Sequence, residues 1–219
     1  MEDIVLKIRR DILLASFSAG ACHIGSALSC VDILVDLFYR IMEPEDRFIF
    51  AKASGAATLY AILCDKGFFP PEKLTQYLHD YPEASKEVPG VLHSVGSVGM
   101  GLSVAAGLAL ADRNRKVFCV ISDGQLQEGV TYECALFAQH HKLTNLHVLC
   151  DNNGLQALGF TKDILGVPTD FFKETFPHFY NMPTIKGKGV SFLENKVESH
   201  YCNLTQELLE KALEENGPA

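Results

Sequence analysis

The chain has 219 residues, 47% apolar and 21% charged, with 19 basic against 27 acidic side chains and a formal net charge of −8. That apolar content excludes an intrinsically disordered chain, and the acidic balance argues against a nucleic-acid backbone as partner. No run of about 18 uncharged apolar residues occurs, so no transmembrane helix is expected and no membrane partner.

The length suits one domain, residues 1–219. The start, Met1-Glu2-Asp3, is acidic and leads into an amphipathic pattern, unlike a signal peptide. Ile4, Ile8 and Ile12 are spaced as on one helix face, which predicts a helix over 3–18. Residues 20–26 break that period and read as a loop. Ser29 and Asp32 have capping-box spacing ahead of Ile33, Leu34, Leu37, Phe38 and Ile41, so a second helix is expected to end near Pro44. Phe48–Phe50 reads as a short strand and 55–63 as a small-residue helix. Turns and one short helix, 72–78, are expected within 65–95. A Gly- and Ala-rich helix follows over 96–112.

Two continuously apolar segments, 117–121 and 146–150, have the pattern of parallel strands covered on both faces. Between them, 127–141 has helical periodicity. Strand, helix, strand predicts a βαβ unit, and hence an α/β fold whose parallel sheet carries helices on both faces. Ligands of such sheets sit at the carboxyl ends of the strands, where this chain places its polar residues. A short amphipathic helix, 204–215, closes the chain. Seven cysteines include no C-x-x-C pair, and Cys119 and Cys150 fall inside apolar runs. Reduced, buried thiols and a cytoplasmic protein are expected, which makes the sequon Asn203-Leu204-Thr205 a chance match.

The chemistry centres on Ser122-Asp123-Gly124, followed after 27 residues by Asn152-Asn153. Asp123 and Asn153 close neighbouring strands, so both side-chain oxygens can enter one crevice. With a nearby backbone carbonyl such as that of Leu155 they form a hard oxygen set suited to Mg²⁺. Gly124 allows a bulky anion to approach the backbone. The inferred ligand is a diphosphate held through a divalent metal.

Asp-Gly, the interval and Asn-Asn resemble the thiamine-diphosphate fingerprint. Residues 122–129, 143–146 and 151–156 are similar to transketolase in particular. So are His23-Ile24-Gly25-Ser26-Ala27-Leu28-Ser29, the segment 96–103 and Lys186-Gly187-Lys188-Gly189-Val190-Ser191-Phe192, all in the family's order. The resemblance implies the diphosphate-binding domain of a thiamine-diphosphate enzyme, with Mg²⁺ (or Ca²⁺ or Mn²⁺). It implies metal ligation by Asp123, Asn153 and the Leu155 carbonyl, and cofactor contact by Gly124, Gln125 and Glu128. Glu128 and Glu133 match acidic residues between two active sites; otherwise they are solvated helix carboxylates. His23 and His200 match substrate-facing histidines, although a lone histidine more often serves structure, and both roles stand for His200. Gly99 and Gly101 match a loop near the cofactor, or serve close helix packing. Lys186 and Lys188 read as a solvated turn, since no P-loop spacing is present, and His140-His141 as the exposed end of a helix.

In this family the glutamate that activates the cofactor belongs to a second, pyrimidine-binding domain. A C-terminal transketolase-like partner subunit in an α2β2 assembly is therefore expected, with a ketose phosphate as donor. Three departures stand out. Ser54 and Tyr81 occupy positions where the family has substrate-contacting histidines, and Ser122 replaces a glycine. The stretch between residues 164 and 186 is also short, which trims the sheet near the C-terminus. The expected reaction is transfer of a two-carbon ketol unit. The acceptor could instead be a lipoyl or acyl-carrier thioester arm, and a non-catalytic scaffold is the reading from another class.

Overall fold

The computed structural model describes residues 1–217. Helix α1 (Glu2–Ala19) buries Ile8, Ile12 and Leu13 and stops at Gly20, whose left-handed φ of 68° lets its N–H return to the last turn. Helix α2 (Ile24–Ser29) lies where a loop was expected. Helix α3 (Val31–Asp36) follows after a break at Cys30 and runs into a π-turn, Leu37–Ile41. The expected capping box is absent. Ser29 ends α2 rather than starting a helix, and its hydroxyl donates to Asp151 at 2.5 Å, with the Ser26 carbonyl 3.1 Å away. Tertiary partners outweighed the local cap.

Strand β1 (Arg47–Phe50) leads to α4 (Ala56–Asp65) and α5 (Lys73–Asp80). Helix α6 (Met100–Ala111) precedes β2 (Val117–Ser122), α7 (Gly129–His140) and β3 (Leu146–Asn152). Helices α8 (Thr161–Ile164) and α9 (Thr169–Thr175) then deliver β4 (His178–Pro183), a strand that sequence patterning missed. Its residues are only partly buried, so no apolar run marks it. Helix α10 (Gln206–Glu215) is capped by the Thr205 hydroxyl.

The four strands are parallel, in the order β1-β2-β3-β4. Phe50, Phe118, Val120 and Leu149 point to one face, under α1 to α5. Ile49, Cys119, Val148 and Cys150 point to the other, under α6, α7 and α9. Double coverage explains the unbroken apolar runs of β2 and β3. All seven cysteines are free, and Cys30, Cys119, Cys134 and Cys150 are buried. Among the described residues no helix is long and apolar enough to cross a membrane.

Candidate active site

The carboxyl ends of β2 and β3 open into a cleft of about 250 Å³. Past β2, residues 123–127 form a 3₁₀ turn with reciprocal capping. The Ser122 N–H donates to Gln125 Oε1 at 2.8 Å, and the Ser122 side chain accepts from the Gln125 backbone. This turn sets Asp123, Gly124 and Gln125 on the cleft wall and Glu128 at its mouth, exposed, as the N-cap of α7. Past β3, Gly154 takes a left-handed φ of 75°, folding Asn153 and Leu155 onto the same wall.

Asp123 is 5% exposed and pairs with no cationic side chain among the described residues. Its Oδ1 accepts the Gly124 N–H at 2.8 Å and its Oδ2 the Gly154 N–H at 2.5 Å. Burial pushes its pKa up to about 6, against the pull of those N–H groups. Asn153 Nδ2 donates to the Ser29 hydroxyl at 3.3 Å, while its Oδ1 accepts the Leu155 N–H at 3.0 Å. Gln125 Nε2 is buried with no hydrogen-bond partner.

His23, His200 and Tyr201 also line the cleft. The imidazoles meet edge to face, centroids 5.3 Å apart. A parallel bridge between His23 and Cys202 ties the two segments together. Gly25 makes this possible, because a Cβ there would lie 2.5 Å from the Ser199 hydroxyl. Burial, and next the Lys186 charge, lower both histidines, His200 to about 4.

Lys186 corrects the sequence reading. Instead of a solvated turn it is 1% exposed, with its ammonium 2.8 Å from His200 Nδ1. Burial, and then the Lys52 charge, lower its pKa to about 8. Its turn depends on Gly187 (φ 80°), where a Cβ would meet the Leu193 carbonyl oxygen at 2.5 Å. Lys188 is half-exposed and pairs with Asp32 at 2.9 Å.

Sequence patterning missed a second lysine. Lys52, two residues past β1, is buried and donates to the Ser26 carbonyl at 2.6 Å, the Ser29 hydroxyl at 2.8 Å and Asp151. Burial works against its charge, but the Asp151 carboxylate outweighs it and raises the pKa. The signal was partial: Asp151 falls within an apolar run covered on both faces, where a carboxylate calls for a partner, but nothing in the spacing marks Lys52, two residues past β1, as that partner.

Other predicted positions fall outside the cleft. Glu133 is exposed on α7. Gly101 serves packing, since a Cβ there would sit 2.6 Å from that of Ala51. Gly99, at φ 89°, would meet Val130 at 2.4 Å; its neighbours Gly96 and Val98 line the cleft instead. Ser54 lines the cleft, but Tyr81 ends α5 and packs half-buried against the core. His140 is the exposed end of α7.

A sequence profile of the family described as 1-deoxy-D-xylulose-5-phosphate synthase matches residues 1–212. One subunit of the apulose-4-phosphate transketolase of Actinobacillus succinogenes is 34% identical, over 94% of this chain and 92% of that one. A 6-deoxy-6-sulfo-D-fructose transketolase subunit of Clostridium sp. is 31% identical, over 95% of this chain and 93% of that one. The transketolase structure from Leishmania mexicana superposes with a TM-score of 0.87 at 20% identity, over 96% of this chain. This chain spans 40% of that longer one. The sequence match over nearly the whole chain and the shared fold place the protein in the transketolase family, as a counterpart of its N-terminal domain.

Proposed function

We propose that this chain, as one domain over 1–219, is the diphosphate-binding subunit of a two-chain, thiamine-diphosphate-dependent enzyme that transfers a two-carbon ketol unit from a ketose phosphate. One observation carries the reading: Asp123, Asn153, Leu155, Gln125, Glu128, His23 and His200 line a single cleft at the carboxyl ends of β2 and β3. The relatives named as transketolase subunits support a division of the enzyme between two chains.

The residues fit a metal-bound diphosphate. Asp123 is a buried carboxylate with no cation of its own, and a divalent ion would offset that charge. Asn153 Oδ1 and the Leu155 carbonyl complete a hard oxygen set. Gln125 lines the cleft beside them, its buried Nε2 left without a hydrogen-bond partner. Thiamine diphosphate, when bound, provides the carbanion chemistry of C–C cleavage.

This chain's residues then orient the donor and manage protons. Because the Lys186 ammonium donates to His200 Nδ1, the proton of neutral His200 sits on Nε2. His200 therefore presents a donor to a substrate oxygen. His23, neutral at pH 7, can accept or return a proton beside it. Glu128, exposed at the mouth, is free to meet the partner chain.

Lys186→Met removes the charge that helps hold His200 low, so the His200 pKa is expected to rise toward its ordinary value. An NMR titration of the imidazole protons reads this directly. With the tautomer released, turnover of the two-chain enzyme should fall on the order of 10²-fold, and Lys186→Arg should restore part of it.

The function itself is tested by mixing this chain with a C-terminal transketolase-like chain in the presence of ketose phosphates and aldose acceptors. Turnover is expected from the α2β2 mixture and from neither chain alone. Ser54, on the cleft wall in place of a histidine, offers a shorter hydroxyl to the substrate. This favours, as second reading, a lipoyl or acyl-carrier thioester arm as acceptor. Transfer to such an arm, with none to aldoses, would select it, and no transfer to either would defeat both.

A further inference from the structure

The ion pair of Lys52 and Asp151 does not stand alone. Ser29, the last residue of α2, is fully buried beside it. Its hydroxyl donates to Asp151 Oδ2 at 2.5 Å, a short bond of the charge-assisted kind. The Lys52 ammonium donates to the same hydroxyl at 2.8 Å. Asn153, which lines the cleft, reaches it with its amide nitrogen at 3.3 Å. One serine oxygen therefore joins the buried charges to a residue of the cleft wall.

A serine hydroxyl has one proton to give and two lone pairs that can accept. Here the proton goes to the carboxylate. One lone pair takes a proton from Lys52, so the other can take only a further N–H. The Ser26 carbonyl, 3.1 Å away, is an acceptor as well and supplies no proton. An amide oxygen turned toward Ser29 would meet lone pair against lone pair. The other end of the amide makes the same selection. Asn153 Oδ1 accepts the Leu155 N–H at 3.0 Å. Turned over, the amide would set its own N–H groups against that donor. Both ends thus select one orientation. In it, Oδ1 spends one lone pair on Leu155 and keeps the second.

We propose that Ser29 is a positioning residue for the metal site: held by Lys52 and Asp151, its hydroxyl fixes the Asn153 amide so that oxygen, and not nitrogen, is available to the divalent ion. The inference rests on the ketol-transfer reading, through the metal which that reading requires. A hard cation takes oxygen ligands, so an amide free to turn over would present its useless end for part of the time. All six residues of α2 are buried, which holds Ser29 against the sheet.

Ser29→Ala and Thr184→Val separate positioning from a merely structural bond. Each takes one hydroxyl from the Asp151 carboxylate, but of the two only Ser29 hydrogen-bonds Asn153. Mn²⁺ is titrated into the two-chain enzyme with thiamine diphosphate, and the free ion is followed by its electron paramagnetic resonance signal. Ser29→Ala should raise the Kd for Mn²⁺ about 10–100-fold. Thr184→Val should leave it unchanged, although both variants should unfold at lower urea. In an Asn153→Asp background both ends of the side chain are oxygens, so adding Ser29→Ala should cost little more. The free chain gives a second reading without cofactor. By NMR, the Asn153 side-chain amide protons, assigned by their loss in Asn153→Asp, should exchange slowly with water in the wild type and fast in Ser29→Ala. Equal Mn²⁺ affinity in wild type and Ser29→Ala would overturn the proposal and leave the ketol-transfer reading standing. So would equal losses in Ser29→Ala and Thr184→Val, a Ser29→Ala loss that persists in the Asn153→Asp background, or fast exchange of the Asn153 amide in the wild-type chain. A wild-type enzyme that holds no Mn²⁺ would defeat the ketol-transfer reading and this proposal together.

Discussion

Asp123→Asn should abolish Mg²⁺-dependent retention of thiamine diphosphate by the two-chain enzyme while leaving the fold in place. The substitution keeps the side chain's size and one of its two acceptor positions. The amide nitrogen, however, would face either the Gly124 or the Gly154 N–H that the carboxylate now accepts. One buried hydrogen bond is lost, at a cost of about 1–3 kcal/mol. Against that, the variant no longer buries a negative charge, so the ligand-free fold should survive. What disappears is the charged oxygen that a divalent cation requires. In the wild-type complex, cofactor and Mg²⁺ at about 100 times their Kd should stabilise by about 2.7 kcal/mol. For a domain of this size that is a rise in Tm of about 5–10 °C. The variant should show none of that rise, and turnover should vanish with it. A full ligand-dependent Tm shift in Asp123→Asn would remove Asp123 from the metal site.

Lys52→Met should be the most destabilising single change near the cleft. Lys52 and Asp151 are 3% and 0% exposed, and Asp151 also accepts the Ser29 hydroxyl at 2.5 Å and the Thr184 hydroxyl. Removing the cation leaves a carboxylate in the protein interior with hydroxyls alone for company. Breaking one side of such a pair costs about 3–5 kcal/mol, a loss of about 6–20 °C in Tm at this chain length. Urea denaturation of the isolated chain measures it. Replacing both partners, Lys52→Met with Asp151→Leu, should recover much of the loss, since no unpaired charge then remains. A double variant as unstable as the single one would show that packing at Lys52, rather than its charge, holds this corner together.

The two changes separate two kinds of acid at the strand ends. Asp123 and Asp151 both follow apolar runs and look alike in sequence. Asp151 faces the α2 side of the sheet, where Lys52 and Ser29 already satisfy it, so it is spent on structure. Asp123 lies past the end of β2, where only backbone N–H groups reach it, so its charge stays available for a ligand.

Much of the site was legible beforehand because strand ends in a parallel sheet fix where polar residues go. The apolar runs of β2 and β3 located both strands, and the residues directly after them had to share one cleft. What escaped notice came from segments without a pattern. β4 is partly exposed along its length and gives no apolar signal. Lys186 and Lys52 are long, charged side chains that the default reading sends to solvent. Helix α2 is short, and its burial comes from contacts with distant segments.

The sequence by itself determined the βαβ core, the placement of Asp123 and Asn153 at its carboxyl edge and the membership of the family, because hydrophobic periodicity and motif spacing are local properties. Only the tertiary structure decided which charges are buried. Lys52 meets Asp151 across 99 positions and Lys186 meets His200 on the cleft wall. Burial of a charge is offset by groups brought together in three dimensions, and spacing along the chain does not record those meetings.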